Sequence, residues 1–213
     1  MSMSWHAFKL AAVSLAVAFG GLPAVQACGY HDPSSINLGM LNWSYPDALH
    51  VRTAVWMAQR DGLIARDVEL DPDDPLPPRM RATLRLRDTV AALTALRERI
   101  AGALDGAPVP AFSMVLLRPM LWARFDTAEA TLRMEAHADG PGRDDVVIVT
   151  DEPVISAWLE GRITPREALA SGLVRFYGPP AKVEQVASLL DPRAGAKTTS
   201  AAASAREPQG THP

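Results

Sequence analysis

Residues 144–177 decide the fold. They read Asp144-Asp145-Val146-Val147-Ile148-Val149-Thr150-Asp151-Glu152-Pro153-Val154-Ile155-Ser156-Ala157-Trp158-Leu159-Glu160-Gly161, then Arg162-Ile163-Thr164-Pro165-Arg166-Glu167-Ala168-Leu169-Ala170-Ser171-Gly172, then Leu173-Val174-Arg175-Phe176-Tyr177. The β-branched run Val146 to Val149 suits a strand covered on both faces. Thr150 or Asp151 can cap the next helix, with Pro153 in its first turn and Gly161 as its stop. Thr164, Pro165 and Glu167 spell a capping box for a second short helix ending at Gly172. Val174 and Phe176 then alternate with Leu173, Arg175 and Tyr177 in a second strand.

Downstream, Val183, Val186, Ala187 and Leu190 predict a helix over about 180–190. From Asp191 the chain is rich in Ala, Ser, Thr, Gly and Pro without periodicity, which predicts a disordered tail over 191–213. Upstream, residues 129–137 alternate, placing Ala130, Leu132, Met134 and Ala136 toward a core or cavity. Thr131, Arg133, Glu135 and His137 fall toward water, so His137 reads as a surface residue. Phe112 to Leu117 and Leu121 to Phe125 are two further apolar runs, separated by Pro119.

Arg79 to Leu104 is the longest helical segment. Leu86, Val90, Leu93, Ile100 and Leu104 form its apolar stripe, with Leu96 beside it and arginines on the other face. Those arginines suit anionic lipid or acidic partners, although a solvated face is the commoner use of such a stripe. The preceding Asp67 to Pro78 alternates acids like a calcium loop, but Pro72 stands where a glycine is required and Pro78 where a glutamate is. It reads instead as a Pro-rich acidic linker with a boundary near residue 78. Before it, Pro46 and Asp47 suit a helix beginning at Ser44 or Tyr45 and closed by Asp61-Gly62. Ala48, Val51, Val55 and Ala58 give that helix a stripe whose ordinary use is docking on its own domain. Residues 29–42 are turn-prone and read as an extended lead.

The first 27 residues carry one formal charge, Lys9, ahead of the apolar run Leu10 to Phe19. With Val25-Gln26-Ala27 following, they read as an export signal. Cys28 is the one cysteine of the 213 residues, so it has no partner for an internal disulfide. Val25-Gln26-Ala27-Cys28 resembles a bacterial lipobox, with Gln26 departing from the usual small residue; the alternative is plain signal cleavage leaving a free thiol. Acylation at Cys28 would tether an exported, periplasmic chain to a membrane surface. Cys28 and His31 alone are too few ligands for zinc, so no metal and no cofactor are expected.

A hydrophobic fraction of 48% supplies a core, and a formal charge of −3 with mixed signs argues against nucleic-acid binding. No Gly-x-Ser-x-Gly elbow, phosphate-binding glycine loop or His-Glu-x-x-His is present, so no catalytic residue is assigned.

The order of long helix, strands, two short helices, strand and terminal helix resembles sterol carrier protein type 2-like domains over about residues 79–190. Gly161, the helix Thr164 to Ala170, Gly172 and the strand ending at Gly178 carry the likeness. It implies an α+β fold, a mostly antiparallel sheet covered by helices around an apolar tunnel for sterols or acyl chains. Residues 28–78 would then be an N-terminal helical extension. Candidate walls are Trp122, Leu132, Met134, Val154, Trp158 and Phe176, each of which reads equally as packed core. The expectation is a non-catalytic, membrane-tethered protein that binds a lipid or sterol-like ligand. The alternative is an envelope interaction module of the same fold, without a cavity, docking a protein partner through residues 44–60.

Overall fold

A computed structural model describes residues 38–66, 76–104, 109–128 and 131–191. The expected signal, Cys28, the acidic stretch 67–75 and the tail beyond 191 lie outside them. The fold is α+β. In order come α1 (Leu38–Ser44), α2 (Ala48–Arg60), α3 (Pro78–Gly102), β1 (Phe112–Leu116), β2 (Leu121–Ala128), β3 (Thr131–Ala136), β4 (Val146–Thr150), α4 (Glu152–Leu159), α5 (Pro165–Ala170), β5 (Arg175–Tyr177) and α6 (Pro180–Leu190).

The five strands form one sheet in the order β3-β2-β1-β4-β5. Three of its pairings are antiparallel, and β1 with β4 is parallel. The parallel pair occupies the centre, where helices cover both faces, and every residue of β1 and β4 is buried. The β-branched run therefore does what its composition dictates.

Register assigns the faces. Phe112 sits opposite Phe125 and Val146, Phe125 opposite Met134, and Ile148 opposite Phe176. These residues share one face, on which Phe112 and Phe125 stack at 4.6 Å. The helix α3 packs on β3 and α4, and it buries Thr89, Leu93, Leu96 and Ile100. The expected stripe is thus rotated: Leu96 joins the core, while Leu86, Val90 and Leu104 are half-buried. The opposite face carries Val115, Trp122, Val149 and Tyr177 and receives α2, which packs on β4. Ala48, Val51, Val55 and Ala58 belong to the same core as the sheet. The N-terminal helices are therefore a layer of the fold.

The extended lead expected over 29–42 ends in a helix, α1. The helix expected from Ser44 or Tyr45 begins at Ala48, and Asp47 before it takes φ 77°. Pro46 and Asp47 form the turn between the two helices rather than the first turn of one. Thr150 does not cap α4, because its hydroxyl donates to the Leu173 carbonyl at 3.0 Å. Asp151 is the cap, accepting from the Glu152 amide at 3.0 Å. The Thr164–Glu167 capping box forms as expected. His137, expected at the surface, is half-buried at φ 65° where β3 ends.

At the start of β4, Asp145 is buried. Its carboxylate accepts from the Ser113 hydroxyl at 2.7 Å, the Gly142 amide at 2.9 Å and Arg124 Nε at 3.0 Å. Burial pushes this carboxyl up, but the bonds from Arg124, Ser113 and Gly142 outweigh it and hold it below the usual range. A Cβ on Gly142 would lie 2.7 Å from Arg124 Nε, so only glycine leaves room for this knot.

Candidate functional site

The six residues expected to wall a cavity do not converge. Leu132 and Met134 lie on β3 and Phe176 on β5, at opposite edges of one sheet face. Four strand spacings, about 19 Å, separate them. Leu132 is buried and Met134 half-buried on the face that α3 covers. Val154 and Trp158, one turn apart on α4, are buried in the core. The indole Nε1 of Trp158 is buried without a hydrogen-bond partner, while its carbonyl accepts from Arg99 of α3. Trp122 belongs to the opposite face of the sheet. There it stands 5.9 Å from the Tyr45 ring, and Tyr45 in turn meets Tyr177 edge-on. The physical reason is strand parity: Leu121, Ala123 and Phe125 face one way, so Trp122 must face the other.

Phe176 does reach an opening. Pro165, Leu169, Phe176 and Ala187 give apolar sides to an open groove of about 180 Å³ between α5, β5 and α6. Arg166, Glu184, Ser188 and Asp191 add polar groups to its lining. The Thr164 cap and the left-handed Gly172, at φ 74°, fix the two ends of α5. Leu173 and Val174, both buried, lead from Gly172 into β5, so the two ends of α5 set the groove. Its volume is below the 300–1,000 Å³ usual for a drug-sized ligand.

A second cluster lies where the parallel strands β1 and β4 end together, the edge at which open α/β sheets commonly place ligands. Arg118 follows β1, while Asp151 and Glu152 follow β4. Arg118 Nε donates to Asp151 Oδ2 at 2.9 Å, and its amide donates to Oδ1 at 3.3 Å. Arg118 Nη2 lies 3.6 Å from Glu152 Oε2, and Thr89 of α3 donates to Glu152 Oε1. The Asp151 side chain is 0% exposed and that of Glu152 24%. Burial pushes the Glu152 carboxyl up to about 7; Arg118, engaged at closer range by Asp151, does not reverse the shift. Burial also lowers the Arg118 guanidinium, and the charge of Arg52 adds to that effect against the pull of Asp151. The cluster ties α3, α4 and the β1–β2 turn together. Its carboxyl groups accept hydrogen bonds from Thr89 and Arg118. Capping chemistry alone, read from sequence, misses Arg118 as their partner; the available signal was an arginine directly after the run Phe112 to Leu117, whose one polar member is Ser113.

The third feature is apolar and exposed. Met40 and Trp43 on α1, Leu49, Trp56 and Met57 on α2, and Leu63 after it all face outward. Among the described residues no group of three or more His, Cys, Asp or Glu side chains is placed to hold a metal ion. No described helix is long and apolar enough to cross a membrane.

No protein-family model matches the chain, and no curated protein matches it. Among solved structures, the stereoselective inverting sec-alkylsulfatase Pisa1 from Pseudomonas sp. is similar at 16% identity and a TM-score of 0.33, over 45% of this chain and 14% of that one. A double mutant of the same sulfatase is similar at 17% identity and a TM-score of 0.33, over 38% of this chain and 13% of that one. This chain thus spans about a seventh of the sulfatase it matches. A likeness at that score carries no argument about activity.

Proposed function

We propose that the protein is an exported, membrane-tethered, non-catalytic binding protein for an apolar ligand of the lipid or sterol class. The observation that carries this reading is the groove at Phe176. It is open to solvent, has apolar sides of Pro165, Leu169, Phe176 and Ala187, and carries polar groups alongside. Phe176 also belongs to the continuous apolar face of the sheet formed by Phe112, Phe125 and Ile148. An acyl chain end entering there meets hydrocarbon, while a carboxylate or hydroxyl at its head can meet Arg166 or Ser188. Export and tethering rest on the signal-like residues 1–27 and on Cys28.

The test is titration of the full chain with a fluorescent fatty acid and its displacement by unlabelled fatty acid and sterol. Saturable binding is expected, and Leu169→Glu, which puts a charge against the groove at an exposed position, weakens it about tenfold. Absence of saturable binding to either ligand class, or unchanged affinity in Leu169→Glu, defeats the reading.

A further inference from the structure

Helix α2 has two apolar stripes. One is buried: Ala48, Val51, Val55 and Ala58 lie on the sheet. The other holds Leu49, Trp56 and Met57, and at about 100° per residue it sits about 150° round the helix from the first. An amphipathic surface helix places charge or amide groups there. Here Trp56 is 59% exposed, and Trp43 on α1 is 86% exposed. Helix α2 does not need these side chains for its own packing, because its buried stripe lies on the other side.

We propose that the outer face of α1 and α2 is seated in the headgroup–acyl boundary of a membrane, with Trp43 and Trp56 at its centre. Tryptophan is the side chain that this boundary favours, since its ring is apolar and its N–H remains available to a headgroup. One cation, Arg60, borders the face, and it is paired with Asp61. The Arg60 guanidinium lies 5.6 Å from the Trp56 ring centroid, where it can meet lipid phosphates while the ring below it enters hydrocarbon. Of the other arginines within residues 38–66, Arg52 lends its charge to the Arg118 cluster and Arg66 donates to the Gln59 and Arg60 carbonyls. Asp47 lies 3.0 Å from His50 and Asp61 lies 2.8 Å from Arg60. Chain length agrees with a lipid occupant over a protein one. Cys28 precedes the start of α1 by ten residues, a reach of at most about 35 Å. An acyl anchor at Cys28, which rests on the tethering proposed above, brings the start of α1 within that reach of the bilayer, and α1 and α2 lying flat bury their outer side chains about 5–10 Å deep.

The surface is separate from the groove, so the two proposals fail separately: a chain that sediments with vesicles but binds no fatty acid keeps this one and loses the other. The experiment is cosedimentation of the mature chain, from residue 28 and carrying Cys28→Ser, so that neither an acyl chain nor the apolar run Leu10 to Phe19 contributes. The vesicles are phosphatidylcholine alone and phosphatidylcholine with phosphatidylglycerol in equal parts. Brominated lipid reports the depth of the tryptophans. The chain with both tryptophans is expected on both vesicles, with bromine quenching of its fluorescence. Trp43→Ser/Trp56→Ser is expected to lose partition about tenfold or more, and Trp43→Phe/Trp56→Phe to retain most of it. Leu49→Ser/Met57→Ser, which touches no tryptophan, is expected to fall between them; circular dichroism checks that each variant is folded. Equal partition of wild type and Trp43→Ser/Trp56→Ser overturns the proposal. So does a dimer or a complex with an envelope protein that depends on these tryptophans while the vesicles stay unbound.

Discussion

Glu152 makes the fold sensitive to pH in a direction opposite to that of most carboxylates. Its carboxyl is raised from 4.5 to about 7 by burial, so the folded chain holds this proton through a range in which the unfolded chain has released it. Between those values the unfolded state binds fewer protons, and stability falls as pH rises. The stabilisation is complete below about 4.5 and is lost once pH has passed about 7. The full shift corresponds to about 3 kcal/mol. The contacts with Arg118 and Thr89 favour the charged form, and 24% of the side chain is exposed. We therefore expect about 2 kcal/mol. Glu152→Gln keeps an oxygen for Thr89 and removes the titration. Urea unfolding of wild type and Glu152→Gln across this range should show near-equal midpoints at the acid end. At pH 8 the variant should be more stable by about 2 kcal/mol, a midpoint shift of about 1 M. Asp145 does not confuse the result: its carboxyl is held below 3.8, so its stabilisation is present above that value and lost only as pH falls through the lowered one. Parallel pH profiles for the two proteins would refute the reasoning.

Three further outcomes follow from the same geometry. Arg118→Ala leaves Asp151 buried without its guanidinium and is expected to cost about 3–5 kcal/mol in urea unfolding. Thr164→Ala removes the hydroxyl of the capping box and is expected to cost about 1 kcal/mol, with faster amide exchange confined to α5. Gly142→Ala drives a methyl into Arg124 and Asp145; a cost of about 1–3 kcal/mol from the broken bonds is expected, measurable as a lowered Tm.

Local chemistry was legible wherever one segment carries its own signal. The Thr164 capping box, the limits of α6 and the buried run Val146 to Val149 follow from side chains within a few residues of one another. Alternation likewise turned Leu132 inward. Pairing is different: β1 and β4 lie side by side and parallel although β2 and β3 intervene, and no periodicity within a strand encodes that neighbour. The same distance hid Arg118 from Asp151, 33 residues away, and left the caps looking purely local. Trp122 was missed for another reason. The run Leu121 to Phe125 is apolar enough to conceal which members share a face, and only the register with β1 and β3 resolves it. At α1, the turn-prone Gly39 and Asn42 masked a short helix that packs against α2, with Leu41 in the common core. Tertiary burial there outweighs weak propensity.

The central claim is that this chain works by holding a lipid or sterol-like molecule. Its most direct test is organic extraction of the chain purified from the cell envelope in mild detergent, with mass spectrometry of the extract. The account predicts a fatty-acyl or sterol-class molecule recovered in fixed proportion to protein and lost in Leu169→Glu. Protein that yields no such molecule, or the same amount from wild type and Leu169→Glu, would contradict it.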